Sequence, residues 1–185
     1  MARRPNRPEP GRPGVIQVLV AESPAEITAV RLLILGHAAG LREHPGSEAV
    51  RADAEHLPGP YARPAGRLYL ARLNGRAAGC VGLHPLDATT AEVKRMFVHP
   101  TARRRGVARA LMERLLADAR EIGYQRIRLG TLDEMTAAQD LYRALGFVEI
   151  PRYRPDELVD TRFFECHLTG RPQADPVSPH PGGPR

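Results

Sequence analysis

Val98-His99-Pro100-Thr101-Ala102-Arg103-Arg104-Arg105-Gly106-Val107-Ala108-Arg109-Ala110-Leu111-Met112 carries a strand into a helix through three arginines and a glycine. The β-prone residues before it, Val93, Met96, Phe97 and Val98, stop at Pro100. An apolar pattern of helical period begins after Gly106. A strand that feeds a helix through a short basic turn makes an anion site. The first amides of a helix have no partner inside it and lie at the positive end of its dipole. A phosphate settles there readily, and Gly106 offers bare backbone where a Cβ would obstruct it. A run of arginines alone is more often a solvated face; its place between strand and helix is what gives this one a role.

The segments on either side extend the pattern. Val15 to Ala21 reads as a first strand. Ser23-Pro24-Ala25-Glu26 is a helix start, with a capping serine, proline at the first helical position and a glutamate to close the box. Ile27, Val30, Ile34 and Ala38 give that helix its apolar face, and Gly40 is expected to end it. Residues 41–66 are rich in proline, glycine and histidine, with a short helix expected from Ser47 to Leu57. A connection of this length in a small domain is often functional, and it is expected to wall an acceptor pocket. Arg67 to Leu73 and Arg76 to Leu83 form a hairpin about Asn74-Gly75, the pair that suits a type I′ turn. Ala91 to Val98 is the next strand. Val107 to Ile122 is a long helix with Val107, Leu111, Leu115, Ala119 and Ile122 on one face and Gly123 beyond its end. A strand (Arg126 to Thr131), a helix (Thr136 to Leu145, closed by Gly146) and two strands (Phe147 to Ile150, Arg162 to Leu168) complete the chain. The expected fold is α+β: a mixed, mostly antiparallel sheet flanked by helices in one domain.

The 185 residues suffice for one domain with a core of its own. The formal charge is +6, but residues 1–13 hold +3 of it and residues 170–185 hold +1. Both ends are Pro-rich and are expected to be disordered tails around a folded unit at 14–169. The core charge of +2 and an aromatic content of 5% argue against a nucleic-acid binder, which would interleave aromatics on a basic face. No apolar run is long enough to span a membrane, and the N-terminal stretch lacks the apolar segment of a secretory signal. Cys80 and Cys166 lack metal-type spacing and read as reduced, partly buried thiols of a cytoplasmic protein. The seven histidines form no metal pattern, so no metal is expected.

Arg103-Arg104-Arg105-Gly106-Val107-Ala108 resembles the Arg/Gln-x-x-Gly-x-Gly/Ala signature of the GCN5-related N-acetyltransferases. Gly79-Cys80-Val81-Gly82 resembles that family's third strand, Ala91 to Pro100 its fourth, and Leu141-Tyr142-Arg143-Ala144-Leu145-Gly146-Phe147 its late Leu-Tyr-x-x-x-Gly-Phe element. These pieces stand in the family's order and cover most of the domain. Three positions depart from the pattern: Arg104 stands where glycine is commonest, Ala108 replaces the last glycine, and Met135 stands where many relatives have asparagine. The resemblance implies a direct transfer of acetyl from acetyl-CoA to a primary amine. It implies that Arg103, Arg104, Arg105, Gly106, Val107, Ala108 and Arg109 hold the pyrophosphate. It also implies that the backbone of Met96, Phe97 and Val98 pairs with the pantetheine arm across a gap in the sheet.

The chemistry then needs an acid and a base. A free thiol titrates near 8.5 and a phenol near 10, so a tyrosine can protonate a departing thiolate. Tyr142 is the expected acid, a role the resemblance gives it. Glu92 is the expected base, acting through water, and by strand alternation it would share a face with Lys94, Met96 and Val98. An ion pair of Glu92 with Lys94 or Arg95 is the competing expectation. His44, His56 and His84 are further base candidates. Neither cysteine sits in a nucleophile setting, so no covalent intermediate is expected. A non-catalytic acyl-CoA sensor of the same fold is the alternative. The amine acceptor, the acyl-chain preference and a homodimer are left open.

Overall fold

Ser23 and Glu26 start the first helix reciprocally. The amide of Ser23 donates to Glu26 Oε2 at 3.0 Å, and the amide of Glu26 donates to Ser23 Oγ at 3.3 Å. The computed structural model describes residues 14–41, 46–154 and 160–168. The sequence expectations for the two tails lie outside these residues, as does His44. Among the described residues, seven strands and four α-helices follow one another: β1 (Ile16–Val20), α1 (Pro24–Leu41), α2 (Gly46–Glu55), β2 (Arg67–Leu73), β3 (Arg76–Pro85), β4 (Thr90–Val98), α3 (Val107–Ile122), β5 (Arg126–Leu132), α4 (Thr136–Ala144), β6 (Val148–Ile150) and β7 (Thr161–His167). Asn74 and Gly75, at φ 52° and 79°, make the left-handed hairpin turn between β2 and β3. Helix α1 runs through Gly40 to Leu41, one residue past the expected stop.

The strands form one sheet in the order β1-β2-β3-β4-β5-β7-β6. Every neighbouring pair is antiparallel except β4–β5. The period-2 alternation of β2 divides the core. Tyr69, Ala71 and Leu73 join Leu111, Met112 and Leu115 of α3 on one face, and Leu68 and Leu70 join Val30, Ile34 and Ala38 of α1 on the other. The three α3 residues are fully buried. At about 1.5–3 kcal/mol for each such side chain, this face anchors α3 and the turn that precedes it. Cys80 and Cys166 are free and buried, more deeply than the sequence suggested.

One irregularity matters more than the rest. Between Cys80↔Phe97 and Gly82↔Lys94, β3 advances two residues and β4 advances three. The extra residue makes a bulge, with Arg95 at φ 55°. It resets the pleat: Ala91 and Val93 face α3 before the bulge, and Met96 and Val98 face α3 after it. The alternation expected for Glu92 therefore fails. Glu92 shares a face with Lys94 and Phe97, on the α1 side, and not with Met96 or Val98. A register slip of one residue inverts every later side chain, and sequence alternation alone cannot place such a slip.

Candidate active site

Strands β4 and β5 are paired only over Thr90–Glu92 and Arg126–Arg128. Beyond that, β4 stays with β3 to Val98 and β5 stays with β7 to Leu132. The two strands part, and the β4 edge from Val93 onward has no strand partner among the described residues. A parallel pair that opens at its carboxyl ends makes a crevice there, and each strand leads toward the N-terminus of a helix. The crevice holds a cavity of about 170 Å³. Lys94, Arg95 and Met96 line it from β4, and Leu129 to Leu132 line it from β5. Met135 and Tyr142 close it from the α4 side, and His37, Gly46 and Val50 close it from α1 and α2. Of residues 41–66, Gly46 and Val50 line this cavity.

The basic turn lies at the end of β4. Arg104 has φ 57°, and Gly106 caps α3 at φ 83° without a side-chain cap. The amide of Arg103 is turned back to Pro100 O at 3.3 Å, and the amide of Ala110 bonds Gly106 O at 3.0 Å. Between them the chain makes a turn over Arg103–Gly106, and the amides of Val107, Ala108 and Arg109, in the first turn of α3, have no intrahelical partner. A Cβ placed on Gly106 would meet only Ile16 Cδ1, at 3.5 Å. Arg103, Arg104, Arg105 and Arg109 are exposed, and Arg103 Nε donates to Val98 O at 3.2 Å. The turn is thus open, positive and lined with donors. Arg104 explains why glycine suits its position: the backbone there is left-handed.

Tyr142 is buried against Phe147 and Phe164, with ring centroids 5.9 and 6.3 Å away. Its hydroxyl has no hydrogen bond among the described residues, although the residue lines the cavity. Burial pushes the phenol up to about 12.

Glu92 is 1% exposed. Its Oε1 accepts from Tyr153 Oη at 2.6 Å, and its Oε2 accepts from Arg154 Nη1 at 2.7 Å. Lys94 Nζ lies 3.5 Å from Oε2. Of the two ion pairs foreseen, the one with Lys94 forms. Arg95 turns instead to α2, donating to Asp53 Oδ2 at 2.6 Å and to Ala49 O at 3.1 Å. Tyr61 Oη donates to the same Asp53 oxygen at 2.5 Å. Burial pushes the Asp53 carboxyl up, but these hydrogen bonds outweigh it and hold the carboxyl below its usual range. Glu92 is not among the residues lining the cavity.

The histidines separate by location. His56, just past the end of α2, is exposed, and its Nδ1 lies 2.8 Å from Ala52 O. His84 lies opposite Glu92 in the β3–β4 register and edge-on to Tyr61, with Nδ1 buried and unpartnered. His37, which no sequence motif singles out, reaches the cavity. The contacts of Asp53, Tyr61, Tyr153 and Arg154 were likewise not legible in the sequence. None sits in a local motif; each joins elements distant along the chain.

Known proteins share this fold. The family model for the acetyltransferase (GNAT) family matches residues 38–147. An IAA acetyltransferase from Azospirillum brasilense is 38% identical over 114 residues, covering 58% of this chain and 74% of its own. An acetyltransferase from Streptococcus agalactiae shares the fold with a TM-score of 0.69 at 24% identity, over 83% of this chain and 98% of its own. A GNAT family acetyltransferase from Elizabethkingia anophelis, solved with acetyl-CoA bound, superposes with a TM-score of 0.57 at 20% identity, over 85% and 100%. No described helix is long and apolar enough to cross a membrane. With the family match over more than half its length and the split sheet that goes with it, this chain belongs to the acetyltransferase (GNAT) family and is an acyltransferase of that kind.

Proposed function

We propose that this chain transfers an acetyl group directly from acetyl-CoA to a primary amine. The observation that carries the reading is the continuity between the open basic turn at Arg103–Arg109, which starts α3, and the unpartnered edge of β4. A diphosphate at the turn would take the amides of Val107, Ala108 and Arg109 and the charge of Arg103, Arg104, Arg105 and Arg109. The pantetheine arm would then run along Met96, Phe97 and Val98 as a strand runs along a sheet edge. That path delivers the thioester to the cavity between β4 and β5. The acetyl-CoA bound to the Elizabethkingia relative supports the same cosubstrate here. A thioester is already activated toward an amine, so the chain's own part in the chemistry is to position the reactants and move protons.

In this reading, Tyr142 protonates the departing thiolate. Its phenol, pushed up to about 12, is a weak acid in water, but the same burial raises the thiolate's basicity and keeps donor and acceptor matched. Glu92, the base expected from the sequence, holds Tyr153 and Arg154 on its two oxygens and does not line the cavity, so in this reading it positions those side chains. The thioester carbonyl would meet a backbone donor on the β4 edge as its oxygen gains charge.

The test is release of free thiol from acetyl-CoA in the presence of a panel of amines, with calorimetry for the cosubstrate. The expected result is tight acetyl-CoA binding and amine-dependent thiol release. Binding without release by any amine would favour the sensor reading, and no binding would overturn both.

A further inference from the structure

We propose that His37 is the group that takes the proton from the attacking amine, an inference that rests on the acetyl-transfer reading above. His37 lines the cavity between β4 and β5 from the α1 side. Its ring lies flat on Phe97, with centroids 5.1 Å apart and planes 14° from parallel. The stack fixes the plane of the imidazole. Nδ1 is buried without a partner, and neither ring nitrogen bonds a described residue. A half-turn about Cβ–Cγ keeps the stack and exchanges the ring edge that faces the cavity. A buried, unpaired imidazole nitrogen is costly unless something else uses it.

The sheet separates the acid from the base. Tyr142 packs with the core on the α3 face, and His37 packs on the α1 face beside Phe97. A thioester lying in the gap between β4 and β5 would have an imidazole toward one face of the sheet and a phenol toward the other. An amine arriving from the α1–α2 side meets His37 first. Its lone pair forms the C–N bond at the carbonyl carbon, and the nitrogen's proton passes to the imidazole. The C–S bond breaks with its pair going to sulfur, and sulfur takes the Tyr142 proton. Imidazolium and phenolate then exchange protons with solvent, which restores both.

The charged surroundings keep His37 in the form a base requires. Burial lowers its pKa first, and the charges of Arg95 on β4 and Arg103 before α3 lower it further. The α2 residues facing the same cavity, Gly46 and Val50, carry no charge, and Asp53 on α2 is committed to Arg95. The imidazole is therefore neutral across the physiological range, and activity falls only as pH drops through a value below 6.5. Glu92 is worse placed: each of its oxygens already accepts a short hydrogen bond, and it does not line the cavity.

The experiment compares His37→Gln and Glu92→Gln with the unaltered chain, using acetyl-CoA and the amine that gives the fastest thiol release. For His37→Gln, kcat is expected to fall by about 10²–10⁴-fold, the usual yield of a general base, with acetyl-CoA affinity within about twofold. The acidic limb of the kcat profile is expected to vanish. Wild-type turnover in His37→Gln, or an acidic limb that survives there and disappears in Glu92→Gln, overturns the assignment while leaving the acetyl-transfer reading intact. No amine-dependent release from the unaltered chain overturns both. If His37→Gln does not fold, histidine NMR of the unaltered chain decides: His37 must titrate with the acidic limb, and a titration apart from it refutes the role.

Discussion

The two ends of the opening between β4 and β5 are built in different ways. At one end, residues 103–109 form a contiguous turn whose donors are backbone amides and whose charges are exposed. At the other, His37, Asp53, Glu92, Arg95, Tyr142 and Arg154 come from five separate parts of the chain, all buried or half-buried, and Asp53–Arg95 and Glu92–Arg154 pair through their side chains. The first end needs only a strand, a glycine and a helix start. The second needs a correct bulge, correct helix packing and correct pairing of charges. The contrast teaches that grip on a cosubstrate and choice of acceptor can vary independently in this fold.

Tyr142→Phe should break the chemical end most severely. Because the hydroxyl has no hydrogen bond among the described residues, its removal leaves the packing on Phe147 and Phe164 in place. We expect kcat to fall by about 10²–10⁴-fold while acetyl-CoA affinity stays within about twofold. Stopped-flow thiol release and calorimetry would measure the two. The alkaline side sharpens the assignment: an acid pushed up to about 12 keeps its proton at the ordinary phenol value, so the unaltered chain should not lose kcat from this group there. Unchanged turnover in Tyr142→Phe would end its role as the acid.

Gly106→Asp should break the other end. There is room for the side chain, with Ile16 Cδ1 at 3.5 Å, and aspartate tolerates a positive φ better than most residues. The variant should therefore fold, but it places a negative charge among the donors meant for a diphosphate. Acetyl-CoA affinity is expected to fall by roughly 100-fold, the scale of one or two charge-assisted hydrogen bonds. Wild-type affinity in a folded Gly106→Asp chain would refute the phosphate turn.

The same contrast governs what the sequence disclosed. Local signals placed the elements well: the Ser23–Glu26 box, the Asn74-Gly75 turn, and α3 from Val107 to Ile122 with Gly123 behind it all stand where propensity puts them. The basic turn between β4 and α3 was legible because its residues are consecutive. The acceptor side was not, for two physical reasons. The bulge at Arg95 reverses the pleat, so alternation rightly put Lys94 on the face of Glu92 but wrongly put Met96 and Val98 there. The partners of the buried charges lie far along the chain: Asp53 is 42 residues from Arg95, and Arg154 is 62 from Glu92. His37 sits inside a helix whose apolar residues surround it, and no periodic pattern distinguishes it.

Asp53→Asn tests whether the acceptor end depends on the clamp between α2 and β4. Asp53 receives Arg95 and Tyr61 on one oxygen and is half-buried. Losing its charge leaves Arg95 without this counter-ion, at an expected cost of about 1–3 kcal/mol in urea unfolding. The pH dependence has a definite sign. The folded carboxyl titrates below its usual value, so its contribution is present above the unfolded carboxylate range and is lost as pH falls through the folded value. In Asp53→Asn that part of the acid sensitivity should disappear. The amine KM should rise more than the acetyl-CoA Kd, because α2 faces the acceptor side of the cavity. Equal shifts in both would mean that α2 serves the whole opening.

The smallest effect separates strain from charge at the phosphate end. Arg104 holds a left-handed backbone at φ 57°, a conformation that costs a residue with a Cβ about 1–2 kcal/mol. Arg104→Ala and Arg104→Gly both remove the guanidinium, but only the glycine relieves the strain. Glycine also gives the unfolded chain more freedom, which cancels part of the gain. The glycine variant should therefore be the more stable of the two by about 1 kcal/mol or less, read from their urea midpoints at equal slope. Both should lose a similar, modest part of acetyl-CoA affinity at low salt, since exposed charges are screened as salt rises. If the alanine variant were as stable as the glycine variant, the positive φ would not persist without the arginine, and the turn would owe its shape to Arg104 rather than to the backbone around Gly106.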